Sequence, residues 1–129
     1  MIPSYIALRA VDWNESLLAD ERTSPYSETT LVRILCGNAF GAVERETDPV
    51  IRLRRMKRLE ASPFYGALQG IRGGERAVRD ILARLQAEGY TRLEHVRFVV
   101  PDQGTVIYQA PVLQDKGRRQ IRSGKYLRW

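Results

Sequence analysis

Two clusters of basic side chains are the residues of this chain best suited to chemistry, and that chemistry is contact with an anion. Lys116, Arg118, Arg119, Arg122, Lys125 and Arg128 crowd the last fourteen residues with no acid among them, and Tyr126 and Trp129 are interleaved with them. Against 21 Lys and Arg stand 15 Asp and Glu, and fifteen of each sign lie between Met1 and Asp115, so the formal net charge of +6 belongs to the terminus alone. The second cluster is Arg52, Arg54, Arg55, Lys57 and Arg58, five cations in seven residues, flanked by Glu44, Glu46, Asp48 and Glu60. Guanidinium and ammonium groups meet phosphates, and aromatic rings stack on bases. A surface carrying both fits nucleic acid, DNA or RNA. The expected contacts are Arg54, Arg55, Lys57, Arg58, Lys116, Arg118, Arg119, Arg122, Lys125, Tyr126, Arg128 and Trp129. An acidic protein partner, gripped by arginines and the terminal Trp, is the second expectation.

Other reactive types are sparse. His95 is the single histidine, which excludes multi-His metal sites and leaves no spare partner for Cys36 or for a serine nucleophile. Its alternation with Arg97 and Val99 predicts a partly exposed imidazole on a sheet face. Cys36 lies in the apolar series Val32, Leu35, Cys36, Ala39, Phe40 and reads as a buried structural thiol. Gly70, Gly73 and Gly74 form neither a P-loop nor a dinucleotide fingerprint, and a tight turn explains them. Glu44, Glu46 and Asp48 read as an acidic linker that favours the dipole of the helix after it rather than as a metal site.

One textual match points to an enzyme. Pro101-Asp102 with Gln114-Asp115-Lys116 resembles the PD-(D/E)xK nuclease pattern, whose acids hold Mg²⁺ while the Lys helps position the attacking water. The resemblance implies a Mg-dependent nuclease, but Gln114 replaces the usual acid, Asp102 falls in a tight turn, and little chain remains after Lys116. No catalytic residue, metal or cofactor is assigned.

The elements that must position these groups are read from periodicity. Tyr5 to Trp13 alternates apolar side chains on both faces and predicts an interior strand. Asn14 to Ser24 reads as a solvated loop or short helix. Ser24-Pro25 resembles an N-cap and a first-turn proline, opening either a helix through Val43 or a strand and turn; if helical, Gly37 and Gly41 mark close approach of another element. Thr47-Asp48-Pro49 predicts a helix to about Ala61, with Leu53, Met56 and Leu59 on its apolar arc. Glu75 to Glu88, with Val78, Ile81, Leu82 and Leu85 in a stripe and Gly89 at its end, predicts the clearest helix. His95 to Val100 and Thr105 to Val112 predict a hairpin around Pro101 to Gly104. Arg119 to Arg122 and Lys125 to Trp129 predict a further ribbon around Ser123-Gly124. From Ser62 onward, short helix, glycine turn, longer helix and hairpin keep the order of a winged helix, although Arg76, Asp80 and Arg84 form an alternating row typical of a solvated face.

The expected fold is therefore α+β: a small single domain, two or three helices on one face of a mainly antiparallel sheet, with a C-terminal β-meander. Residues 1–115 form the charge-neutral core and 116–129 a basic ribbon of the same domain. The 129 residues suffice to bury a core without disulfides. No apolar run approaches a membrane span and the start lacks the features of a signal peptide, so a cytoplasmic protein with no membrane contact is expected. The functional expectation is a non-enzymatic nucleic-acid-binding accessory protein.

Overall fold

A computed structural model describes residues 2–19, 24–100, 104–127 and 129, except for the side chains of 19, 98 and 100. Among these the chain forms six α-helices and one two-stranded antiparallel sheet, a small single domain of mixed α+β character. The helices are α1 (Pro3–Ser16), α2 (Glu28–Cys36), α3 (Ala39–Ala42), α4 (Pro49–Glu60), α5 (Gly74–Ala87) and α6 (Asp115–Ser123). Strands β1 (Thr91–Val100) and β2 (Gly104–Leu113) lie between α5 and α6.

The segment expected to be an interior strand is α1. Proline at its first turn suits a helix start. Over the full fourteen residues, Ser4, Ala7, Leu8, Ala10, Val11 and Asn14 all turn inward, a 3.6-residue period that the shorter stretch Tyr5 to Trp13 masks. Buried alanines at positions 7 and 10 let neighbours approach closely. The helix packs against α5 and β2, so it forms the centre of the molecule rather than a sheet.

Asn14 sets the path of the chain beyond α1. Its side-chain amide donates to the carbonyl of Tyr26 at 2.9 Å, and its Oδ1 accepts from the Tyr26 N–H at 2.8 Å. Both backbone groups of Tyr26 are thereby taken, and the residues expected to begin a helix at Ser24-Pro25 are held extended. The helix starts three residues later, where Ser27 Oγ accepts from the Thr30 N–H at 3.2 Å. It ends at Gly37, whose φ of 73° is left-handed. A Cβ there would also lie 3.3 Å from the Gly66 backbone, which marks the close approach the glycine suggested. Residues 63–70 form successive turns instead of a helix, and the Gly66 and Leu68 amides donate to the Ile34 and Leu35 carbonyls at the end of α2, both at 2.8 Å.

Helix α4 begins where Asp48 Oδ1 accepts from the Val50 and Ile51 amides. Its expected apolar arc is only partly buried. Leu59 is inside, Met56 packs on the smaller core cluster, and Leu53 is 54% exposed. Arg52 is partly buried and its Nε donates to the Glu46 carbonyl at 2.9 Å. Helix α5 buries Val78, Leu82 and Leu85 in the main cluster with α1 and α2.

The hairpin is longer than expected, pairing ten residues a side from Thr91↔Leu113 to Val100↔Gly104. The expected turn residues 101–103 lie outside the described residues. No third ribbon extends it into a meander, because residues 115–123 are helical. Gly117 explains how α6 fits: a Cβ there would stand 2.3 Å from the Tyr90 carbonyl oxygen. Without a side chain, the helix settles onto the start of β1. After Gly124, at φ 68°, the chain runs back across the core with Leu127 buried and Trp129 packed on the main cluster. The tail is thus a helix and a strap, not a β-ribbon.

Candidate functional site

The two basic clusters occupy different settings. On α4, Arg54, Arg55, Lys57 and Arg58 are all exposed. Arg55 pairs with Glu46 at 3.7 Å, whereas Arg54, Lys57 and Arg58 have no ion pair among the described residues. The terminal cluster is more occupied. Lys116 Nζ donates to the Glu88 carbonyl at 2.7 Å and sits 4.3 Å from the Tyr90 ring centre. Arg118 reaches Glu15 at 3.1 Å and Asp115 at 3.3 Å. Arg119, Arg122 and Lys125 are exposed, with Arg122 bordering a small hollow that also contains Asp12. Arg128 lies outside the described residues.

The two aromatic residues of the tail also differ. Tyr126 is 63% exposed and stands edge-on to Tyr5, ring centres 4.9 Å apart. Trp129 is partly buried, with the Arg84 guanidinium 4.1 Å from its ring centre and its carbonyl accepting from the Ser4 hydroxyl. Trp129 therefore anchors the strap.

Between the clusters run two adjoining hollows along one side of α1. The larger, about 570 Å³, is walled by Trp13, Tyr26, Tyr108 and Arg58, with hydroxyls from Thr30 and Ser62 among others. The smaller, about 330 Å³, is walled by Ile2, Tyr5, Ile6, Arg9, Phe64 and Tyr126. Trp13 of the first and Phe64 of the second are in ring contact, 6.1 Å between centres, so this pair is their common border. Trp13 also stacks on Tyr26 at 6.1 Å and 26°. Tyr5 to Trp13 covers about 12 Å of α1. Arg58 marks one end of this aromatic file, Tyr126 of the tail marks the other, and Arg9 lies along it. Neither arginine has an ion pair among the described residues, and no acidic side chain among them walls either hollow.

Electrostatics reflect this placement. Burial raises the Tyr26 phenol above its ordinary pKa, and nearby Arg58 and Arg55 partly offset that. Burial likewise raises Tyr108, with a Ser24 hydrogen bond opposing. The Tyr108 hydroxyl donates to the Pro25 carbonyl, tying β2 to the wall of the larger hollow. The file is not legible in the sequence, because Trp13, Tyr26, Phe64 and Tyr108 are scattered along it and the pattern around Trp13 resembles a strand.

The other candidate residues have ordinary settings. His95 is exposed on β1. Cys36 is half-buried against the main core, with its thiol pKa raised by burial, then by Glu75, against a lowering effect of Arg79. Glu46 and Asp48 act within the linker: Glu46 Oε1 accepts from the Asp48 N–H at 3.2 Å, and Asp48 caps α4. Of the nuclease pattern, Asp102 lies outside the described residues, Gln114 donates to the Thr91 carbonyl at 3.2 Å, and Lys116 is held at Glu88 and Tyr90. Among the described residues no group of three His, Cys, Asp or Glu side chains is placed to hold a metal ion. No helix among them is long and apolar enough to cross a membrane. The chain matches no protein-family profile, no curated protein and no solved structure.

Proposed function

We propose that the protein is a non-enzymatic nucleic-acid-binding accessory protein that holds a single strand along the aromatic file between α4 and the tail. The observation that carries this reading is the pair of adjoining hollows walled by aromatic rings and by Arg58 and Arg9, both without an ion pair among the described residues. Rings offer stacking surface to any base, and exposed cations track the backbone phosphates. A duplex is less suited, because its bases are already stacked on one another. Arg54 and Lys57 add exposed cations to α4, and Arg119 and Lys125 are exposed cations of the tail.

The test is a salt titration of oligonucleotide binding. Replacing Arg54, Lys57 and Arg58 together with Gln is expected to reduce the slope of log affinity against log salt by roughly 2, at about 0.7 per lost contact on a single strand. The triple Arg118, Arg119 and Arg122 change is expected to do less, since Arg118 already serves Glu15 and Asp115. Unchanged affinity and slope in both variants would remove the reading. No cleavage is expected with Mg²⁺ or Mn²⁺; cleavage abolished by Asp102→Asn would put the nuclease in its place.

A second reading, docking on an acidic protein, is favoured by the outer arc of α4. Val50 is 65% exposed and Leu53 54%, both amid Arg54 and Lys57, and exposed Phe40 lies on α3, which contacts α4. Apolar surface ringed by cations suits a protein better than a phosphate backbone. Oligonucleotide binding should be insensitive to Val50→Ser with Leu53→Ser. Loss of an acidic partner from that same variant, with strand binding absent in the parent protein, would favour docking.

A further inference from the structure

The larger hollow differs from the rest of the file in size and in what surrounds it. Trp13, Tyr26 and Tyr108 supply three rings from α1, from the extended segment before α2 and from β2, and Arg58 supplies a cation from α4. Four separate parts of the chain therefore meet at one cavity. Its walls are held in place: Asn14 fixes both backbone groups of Tyr26, and the Tyr108 hydroxyl is tied to the Pro25 carbonyl. Thr30 and Ser62 add hydroxyls, and about 570 Å³ lies within the roughly 300–1,000 Å³ of small-molecule sites. A preformed wall of this kind avoids the ordering cost that weakens binding to mobile surfaces.

We propose that this cavity is a receptor for one phosphorylated nucleoside, its base against the Trp13 and Tyr26 rings and its phosphate at Arg58. The choice of a nucleotide rests on the strand-binding reading, while the cavity extends that reading from a sequence-tolerant surface to a discrete site. Flat rings favour a planar base over an aliphatic ligand, and a guanidinium without an ion pair among the described residues favours a dianionic phosphate by charge-assisted hydrogen bonds. Hydroxyls at the wall give a sugar or base edge partners of either hydrogen-bonding sense. The same chemistry is presented by a free mononucleotide and by the phosphorylated end of a strand.

The experiment is calorimetric titration of the full chain with AMP, ribose 5-phosphate, adenosine and two oligonucleotides that differ only in a 5′-phosphate. The Trp13 indole N–H resonance serves as a local reporter. AMP is expected to bind saturably and shift that resonance, with ribose 5-phosphate about tenfold or more weaker for want of the stacked base. Arg58→Gln, a change at an exposed side chain without an ion pair among the described residues, is expected to weaken AMP about ten- to a hundredfold. Adenosine should be nearly indifferent to it. A 5′-phosphate that strengthens oligonucleotide binding through Arg58 identifies the strand end as the source; AMP binding with equal affinity for both oligonucleotides identifies the free nucleotide. If AMP does not bind and the two oligonucleotides bind equally, the receptor is overturned while strand binding stands. AMP binding with no oligonucleotide binding keeps the receptor and overturns the strand. Ribose 5-phosphate as strong as AMP, or adenosine as sensitive to Arg58→Gln as AMP, overturns the assigned contacts.

Discussion

Helix α4 and the C-terminal segment carry similar densities of positive charge, yet the fold employs them differently. The tail is built into the core. Leu127 is buried, Trp129 rests under Arg84, Lys116 caps the region at Glu88 and Arg118 binds Glu15. By contrast, α4 inserts Leu59 and leans Met56 on the smaller cluster, leaving Arg54, Lys57 and Arg58 outward and without ion pairs among the described residues. Counting charge along the chain ranks the tail first. Its cations are partly engaged in holding the molecule together, so the availability of a charge is a tertiary property.

The contrast can be broken most directly at the strap. Leu127→Ala is expected to lower unfolding free energy by about 2 to 5 kcal/mol, because a side chain only 4% exposed leaves a cavity in the main core. Leu53→Ala on α4 is expected to stay within about 0.5 kcal/mol. Denaturant melts that show similar, small losses for both would mean that the tail is peripheral.

A smaller effect is expected where α6 meets the sheet. Gly117→Ala places a methyl against the Tyr90 carbonyl and should cost about 1 to 3 kcal/mol by forcing α6 to shift, although alanine is the better helix former. A thermal melt at or above that of the parent would show that α6 does not need this contact.

Alkali probes the partly buried thiol and two of the phenols. Cys36, Tyr26 and Tyr108 all hold their protons more tightly when folded, since burial is the leading cause of each raised pKa. The folded state then binds more protons than the unfolded state once pH passes the ordinary values, so stability falls as pH rises beyond about 9 for the thiol and about 10 for the phenols. These groups contribute no slope at neutral pH. A parallel melt series on Tyr108→Phe should show a shallower alkaline decline; an identical decline would exclude Tyr108 as a source.

The smallest difference is on α5. Arg84→Ala removes an exposed pair with Glu88 and the cation above Trp129, about 1 kcal/mol together, whereas Arg76→Ala should cost less than about 0.5 kcal/mol. Strand binding should survive both. A large loss of affinity in either variant, with the melt unchanged, would make α5 the recognition helix of the winged-helix order.

Elements with their own punctuation are legible in the chain. Asp48-Pro49 announces α4, the Val78–Leu82–Leu85 stripe announces α5, and two segments rich in β-branched residues on either side of Pro101 to Gly104 announce the hairpin. The sequence misleads where two periods share one short stretch. Tyr5 to Trp13 satisfies a strand pattern because its apolar residues are nearly continuous, and only the inward placement of Ser4 and Asn14 shows the helical period. Residues 115–123 hide a helix behind polarity, since Gly117 is the only fully buried position and no apolar stripe advertises it.

By itself the sequence determined the charge distribution, the single thiol and histidine, the capped helices and the hairpin, because these depend on composition or on neighbours within one or two turns of chain. Only the tertiary structure decided that Trp13 meets Tyr26 and Phe64, that Arg58 rather than the tail borders the larger cavity, and that Lys116 and Arg118 are tied down. Those outcomes depend on residues tens of positions apart competing for the same space. Local propensity carries no record of which buried face will cover which, so the candidate site exists only where α1, α4, β2 and the segment fixed by Asn14 come together.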